Sequence, residues 1–235
     1  MFWIIKIAAT TLGETGGDAV SMSMHLGYLK ATLIFAAVFA GAVWFQIKAK
    51  KFHPFIYWFT IIATTTVGTT MADFADRSLG IGYAGGSTIL LALLLGSLFV
   101  WYKAMGTVSV SSICTPKAEI FYWTTIMFSQ TLGTALGDWT ADTIGMGYVG
   151  GMGIFLGLLA VAAILYYRTK VSRAFLFWFA FILTRPLGAV LGDFLDKPIA
   201  SGGLELSRFA ASAVLLAGMV IALRLLPQRA AAVAH

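Results

Sequence analysis

Residues 123–138 read WTTIMFSQTLGTALGD, and three other stretches share their frame: WIIKIAATTLGETGGD at 3–18, WFTIIATTTVGTTMAD at 58–73 and WFAFILTRPLGAVLGD at 178–193. Each opens on Trp, places a Gly ten positions later, and ends with a small residue and Asp fifteen positions after the Trp. Nine residues beyond each Asp stands another Gly, at Gly27, Gly82, Gly147 and Gly202. Four unrelated segments would not share these positions without a gap, so the chain is a tandem array of one motif. The leading glycines are 55, 65 and 55 positions apart, which puts alternate copies 120 residues apart and marks a duplicated pair of units. The expected division is a first duplicate over residues 1–110, a second over 111–226, and a cytoplasmic tail over 227–235.

The array belongs in a membrane. Its residues are 59% hydrophobic and 11% charged, against about 25% charged in a soluble domain, and the mean hydropathy is +0.87. Apolar runs of spanning length fall near residues 2–21, 27–47, 55–75, 83–103, 119–140, 147–168, 174–195 and 204–226. The expected fold is therefore an all-α membrane protein of eight transmembrane helices, built from four two-helix repeats. Two spans per unit make the four repeats parallel.

Lys48, Lys50, Lys51, Lys103, Lys117, Arg168, Lys170, Arg173, Arg224 and Arg229 fall at the ends of even helices, in the loops after them, or in the tail. By the positive-inside bias this face is cytoplasmic, with both termini on it. The formal charge of +6 follows from that topology, and no soluble basic module interleaved with aromatics suggests nucleic-acid binding. Cys114, the single cysteine, excludes an intrachain disulfide. Residues 1–21 lack a basic leader and are interrupted by Lys6, so the first helix is expected to be retained. His25, His53 and His235 form no ligand spacing. The sequence contains no H-E-x-x-H, no G-x-S-x-G and no nucleotide-binding glycine loop, so no enzymatic activity is expected.

Within each motif, the small pairs Gly13/Gly17, Gly68/Ala72, Gly133/Gly137 and Gly188/Gly192 lie one helical turn apart and suit close helix packing. Asp18, Asp73, Asp138 and Asp193 follow them on an adjacent face. Intramembrane carboxylates default to function. Four of them converging on one axis would need protons or a bound cation to coexist. Thr11, Thr66 and Thr131, two residues before the leading Gly, add neutral oxygens suited to a hard divalent cation such as Mg²⁺, Ca²⁺ or Mn²⁺. Packing and backbone hydrogen bonding are the alternative use of the same residues. If each Trp marks the inner interface belt, the Asp residues lie about 22 Å away, in the outer part of the membrane.

The fourth copy departs from the others, with Arg185 where they have Thr10, Thr65 or Gln130, and Pro186 in place of the motif Thr. Arg185, too far below Asp193 for direct contact along their shared helix, is expected to neutralise a carboxylate of the central site, with Asp138 or Asp193 as the candidates. Lys6 is expected to reach toward the cytoplasmic interface. Glu14, Asp76, Asp142 and Asp196 form a second acidic set, read as a solvated rim or outer vestibule in which Asp76 with Arg77 and Asp196 with Lys197 are surface pairs.

The repeated elements TLGETGGD, TVGTTMAD, TLGTALGD and RPLGAVLGD resemble an uncharacterised bacterial family described only as membrane-anchored repeat proteins, across the whole chain. That resemblance implies a multi-pass protein of the bacterial inner membrane. A weaker similarity is to a family of manganese and calcium exporters with a Glu-x-Gly-Asp signature; here only GETGGD carries a Glu, and the basic residue and hydroxyl that follow Asp in that family are absent. Two functions are expected on this basis. The first is a cation transporter, of divalent metals in class and proton-coupled, with no resident cofactor beyond a bound cation. The second is a membrane scaffold or sensor subunit, whose glycines and Asp residues serve helix packing. Expected partners are the bilayer, cations or protons, and further copies of the chain, without nucleic acid.

Overall fold

The computed structural model describes residues 1–49, 52–113 and 115–226, which form eight long helices joined by short turns, with no strand among the described residues. The expected cytoplasmic positions of Lys50, Lys51, Cys114 and Arg229, together with His235 and the tail over 227–235, lie outside the described residues.

The first helix of each repeat carries the Trp–Gly–Asp motif. These are α1 (Phe2–Asp18), α3 (Pro54–Asp73), α5 (Pro116–Asp138) and α7 (Arg173–Asp196). Pro54 and Pro116 sit in the first turn, where a missing N–H is harmless. Thr115 and Ser172 cap the starts of α5 and α7 by accepting from the N–H of Ala118 and Phe175. In the first three repeats the α-helix ends on the motif Asp and continues as one π-helical turn, Ala19–Ser23, Phe74–Ser78 and Trp139–Thr143. The fourth stays α-helical to Asp196 and stops there, because Pro198 forces Lys197 into extended backbone (φ −75°, ψ 157°).

The second helix of each repeat is α2 (Tyr28–Lys48), α4 (Gly82–Met105), α6 (Gly147–Arg168) or α8 (Arg208–Leu225). The turn into it passes through positive φ at Gly27 (74°), Gly82 (74°), Gly147 (64°) and Gly202 (86°). Only Gly adopts that conformation without a Cβ clash, which explains the recurrence of this motif position. Before α8 the turn is longer, so that helix begins at Arg208, capped by Ser207, later than the sequence suggests.

The four motif helices form a closed inner ring in the order α1, α3, α5, α7, with α7 packed back against α1. Gly13 and Gly17 abut Thr65 and Thr69; Gly133 and Gly137 abut Arg185 and Ala189; Gly188 and Gly192 abut Thr10 and Glu14. Residue numbers rise together across each interface, so the inner helices are parallel. Each outer helix packs mainly on the inner helix of the following repeat: α2 on α3, α4 on α5, α6 on α7, and α8 on α1. Hydroxyl pairs tie two of these contacts, Ser97 to Thr125 (3.1 Å) and Thr15 to Ser212 (2.8 Å). The two helices of a repeat thus do not pack mainly on each other, and every outer helix bridges two repeats.

Among the described residues, six helices are long and apolar enough to cross a membrane: α2, α3 with its π turn, α4, α6, α7 and α8. Their placement explains the split in exposure. The outer helices leave apolar side chains such as Leu33, Leu95, Ile164 and Val214 exposed, whereas the inner helices bury one another. α1 and α5 fall short of that measure because they carry polar residues inside the ring, among them Lys6, Glu14 and Asp18 on α1 and Gln130 and Asp138 on α5.

One end of the ring is filled by aromatic side chains. The residue before each motif Trp packs on the Trp of the next repeat: Phe2 on Trp58 (5.4 Å between centroids), Tyr57 on Trp123 (5.9 Å), Tyr122 on Trp178 (6.2 Å) and Phe177 on Trp3 (5.7 Å). Trp58, Trp123 and Trp178 are buried. The expectation that the motif Trp residues mark a lipid interface belt is therefore corrected for these three, which close the ring from inside, while Trp3 is half-buried. Each such contact is worth about 0.5–1.5 kcal/mol beyond its burial.

Candidate functional site

Above the aromatic floor, positions four residues apart on the inner helices stack as layers along the ring axis. The lowest holds Lys6, Ile61, Ile126 and Phe181, and all four are buried. The next holds Thr10, Thr65, Gln130 and Arg185, again all buried. Each of these four packs where the neighbouring helix offers its leading glycine: Thr65 on Gly13, Gln130 on Gly68, Arg185 on Gly133 and Thr10 on Gly188. The glycines thus make room for the polar layer.

Arg185 reaches from its own layer into the one above. Its Nη1 donates to Glu14 Oε2 (2.9 Å), and its Nη2 donates to Thr69 Oγ1 (2.6 Å) and to Thr134 Oγ1. Thr69 also donates to the Gly13 carbonyl (3.2 Å), and its hydroxyl lies 3.3 Å from Glu14 Oε2. A charged pair from α7 and α1 and hydroxyls from α3 and α5 therefore cross the axis in one layer. The expected pairing of Arg185 with Asp138 or Asp193 is corrected to Glu14. Glu14 is likewise no part of an outer vestibule, because it stands one turn inside the motif Asp residues and is only 2% exposed.

Asp18, Asp73, Asp138 and Asp193 form the last layer, all buried. They are not left to share free charge. Arg77 joins Asp73 (Nε to Oδ1, 3.0 Å) to Asp138 (Nη2 to Oδ2, 3.1 Å). Lys197 joins Asp18 (Nζ to Oδ2, 2.6 Å) to Asp193 (Nζ to Oδ1, 3.1 Å). Both cations lie four residues after a motif Asp and 120 residues apart, so the duplication appears here as two cation-bridged carboxylate pairs. Burial pulls the Lys197 ammonium down, but Asp193, Asp18 and Asp196 outweigh it and hold it well above the ordinary lysine range. The ammonium therefore stays charged.

Of the acidic set expected at the rim, Asp142 is exposed, and the expectation is corrected for the others. Asp196 is buried and pairs with Arg208 (3.1 Å), which also donates to Ser23 and closes α8 onto the first repeat. Asp76 is buried against Gly86 at the start of α4. Arg77 and Lys197 pair inward with the motif Asp residues. Oxygens of Asp18, Asp193 and Asp196 lie within 4.8 Å of one another, so that these three, of which Asp18 and Asp193 belong to the expected metal set, are placed to share an ion.

Thr11, Thr66 and Thr131 do not join the Asp layer. Each donates to the carbonyl four residues back, Ile7 (2.9 Å), Ile62 (2.7 Å) and Met127 (2.9 Å), because a helical Thr can satisfy its hydroxyl on its own preceding turn. The hydroxyls that meet on the axis are those of Thr69 and Thr134. Gly13, Gly17, Gly68, Gly133, Gly137, Gly188 and Gly192 all lie at contacts between inner helices, and Ala72 is buried on α3 in the equivalent position. Lys6 does not reach an interface; it is fully buried, with its Nζ 4.2 Å from the Phe181 ring centroid.

The repetition that builds these layers matches a known family model four times, over residues 1–52, 56–107, 121–172 and 176–228, the family being described as Repeat of Unknown Function (DUF347). The chain belongs to that family. Each DUF347 repeat is thus one inner helix and the outer helix that follows it. No curated protein and no solved structure matches the chain.

Several site residues of the DUF347 repeats escaped the sequence reading although a signal for them exists. Phe2, Tyr57, Tyr122 and Phe177 recur as aromatic-Trp dipeptides. Tyr28 and Tyr83, whose phenols lie against Arg77, recur in the Gly-Tyr dipeptides 27–28, 82–83 and 147–148. The equivalence of Arg77 and Lys197 is visible in the 120-residue spacing, but each stands beside an acid in sequence, which suggests the wrong partner.

Proposed function

We propose that this protein is a multi-pass transporter of cations, divalent in class and coupled to protons, whose path is the axis of the inner ring. The observation that carries this reading is the pairing of the motif Asp residues. Two cations supplied by the chain, Arg77 and Lys197, each bridge carboxylates from two different inner helices at the mouth of a buried polar axis. Carboxylates that share a tethered cation can share a free one, and the Asp18, Asp193 and Asp196 oxygens suit a hard divalent ion once Lys197 withdraws. Arginine keeps its charge and its geometry, whereas lysine is a flexible point charge, so exchange belongs to the Lys197 pair. Protons enter because carboxylates released from a cation in a desolvated layer take up protons.

In this reading all eight helices cross the bacterial inner membrane, with both termini cytoplasmic. α1 is extended to Ser23 by its π turn, and it and α5 are surrounded by other helices, so neither has to be apolar on every face. The aromatic floor then closes the cytoplasmic end in the state described. Transport is tested in proteoliposomes with Mn²⁺, Ca²⁺, Mg²⁺, Na⁺ and K⁺. Flux of at least one ion, accompanied by a pH change in the lumen and lost in Asp18→Asn or Asp193→Asn variants that still fold, is the expected result. No flux of any of them, or normal flux in all four Asp→Asn variants, overturns the reading.

One observation favours a second reading, a scaffold or sensor subunit. Every motif Asp has a cation partner within the chain, so the layer is complete as a lock between helices. A purely structural lock predicts loss of folding in proportion to loss of pairing and no flux in any variant.

A further inference from the structure

Among the described residues, Lys6 is the one cation of the axis that the layers above leave without a carboxylate partner. Arg185 has Glu14, and Arg77 and Lys197 have the motif Asp residues. Among the described residues, no hydrogen-bond acceptor reaches Lys6 Nζ, which lies over the Phe181 ring in a layer with no exposure. An aromatic face offsets only part of what a buried ammonium loses on leaving water. One helical turn above, further buried atoms lack partners: Thr65 Oγ1, both polar atoms of the Gln130 amide, and Arg185 Nε. Arg185 is also within electrostatic range of Lys6.

The balance of these groups is one-sided. Lys6, the Gln130 amide nitrogen and Arg185 Nε are donors, while the Thr65 hydroxyl can donate or accept and the Gln130 carbonyl accepts, so donors outnumber acceptors among these described atoms. The net charge around them is positive when Lys6 is protonated, once Arg185 is set against Glu14. Buried donors need an acceptor, and a buried ammonium needs one carrying negative charge.

We infer that the buried layers of the axis between Phe181 and the Arg185–Glu14 pair bind a small monovalent anion, held by Lys6 and Gln130 with Thr65 and Arg185 Nε beside them. A halide, nitrate or formate has the size and single charge that match. The site lies about two to three turns of helix inside the Asp layer, roughly 12–18 Å along the axis, and is distinct from it. It stands whether or not the protein moves cations.

The test is thermal unfolding of the purified protein in detergent at constant sodium and constant ionic strength, with gluconate exchanged stepwise for chloride, bromide, nitrate or formate. The expected result is a saturable rise in unfolding temperature with the small anions. Lys6→Met should abolish it and Lys6→Arg should keep it. Gln130→Leu, which removes a donor without removing the charge, should move the midpoint up by roughly tenfold or more. Equal stability of the wild-type protein in every salt overturns the proposal, as does an unchanged anion response in Lys6→Met. If Lys6→Met does not fold, the wild-type titration and the Gln130→Leu midpoint decide, and an unmoved midpoint counts against the site. No gradient or flux enters this measurement, so its failure and the failure of cation transport are separate results.

Discussion

Arg185 and Glu14 are 171 positions apart in sequence and 2.9 Å apart in the ring. Both are buried, so removing one leaves the other as an uncompensated charge, and that orphaning dominates the energetics. Arg185→Gln is expected to destabilise the protein by about 3–5 kcal/mol. Glu14→Gln in that background should recover most of the loss, whereas Asp138→Asn or Asp193→Asn should add to it within about 0.5 kcal/mol. Unfolding in denaturant measures this cycle, and rescue by an Asp variant instead of Glu14→Gln would reject the pairing. The Asp layer makes a second, sharper prediction because its cations divide the four carboxylates in two. Lys197→Met should couple to Asp18→Asn and be additive with Asp138→Asn; Arg77→Met should do the reverse. Coupling of Lys197 to all four Asp residues alike would mean one shared cluster in place of two pairs.

The inner helices approach closely because each leading glycine faces a large or branched side chain on the next helix. A methyl group at Gly133 would overlap Arg185, and one at Gly188 would overlap Thr10, whereas Gly41 on α2 and Gly96 on α4 have nothing within 4 Å. Gly133→Ala and Gly188→Ala are therefore expected to cost about 1–3 kcal/mol through overpacking. Gly41→Ala and Gly96→Ala should be neutral or gain up to about 1 kcal/mol from helix propensity. Equal effects at the four positions in unfolding experiments would show that glycine content, and not the ring contact, sets stability. The helices themselves, their number and the one-turn ladder from Gly to Asp were legible from the repeat, because a fixed frame and a 3.6-residue period are local properties. What was illegible is which helix stands beside which. The ring order decides that Gly133 meets Arg185, that Tyr57 packs on Trp123, and that α8 closes on α1. Local spacing also misleads where a nearer partner exists in sequence: Arg77 beside Asp76 looks like a surface pair until the fold turns it toward Asp73 and Asp138. Lys6 misled for a related reason, since a lysine near a helix start is expected to reach water, and inside the ring an aromatic floor stands in the way.

The pseudo-fourfold ring gives the molecule two unlike ends. Parallel inner helices place every motif Trp at one end and every motif Asp at the other, and the outer helices return each time to the Trp end. Lys48, Lys103, Lys117, Arg168, Lys170, Arg173 and Arg224 all gather there, so the positive-inside bias acts with one sign on every repeat. The Asp end carries Lys30, Arg77, Lys197 and Arg208, and the last three are bound to carboxylates and offer little free charge to a lipid surface, which leaves the exposed Lys30 against the seven basic residues of the other end. Orientation therefore rests on the loops of the Trp end, and one measurement covers all repeats. Leu79 and Met146 are exposed at the Asp end, and Tyr167 is exposed at the Trp end. With Cys114 replaced by Ser, single cysteines at positions 79 and 146 are expected to react with an impermeant thiol reagent applied to intact cells. A cysteine at position 167 should react only after the membrane is opened. Labelling of 146 and 167 from the same side would contradict a membrane-crossing α6. Labelling of 79 and 146 from opposite sides would break the parallel ring itself, and with it the convergence of four Asp residues at one mouth, on which the transport reading depends.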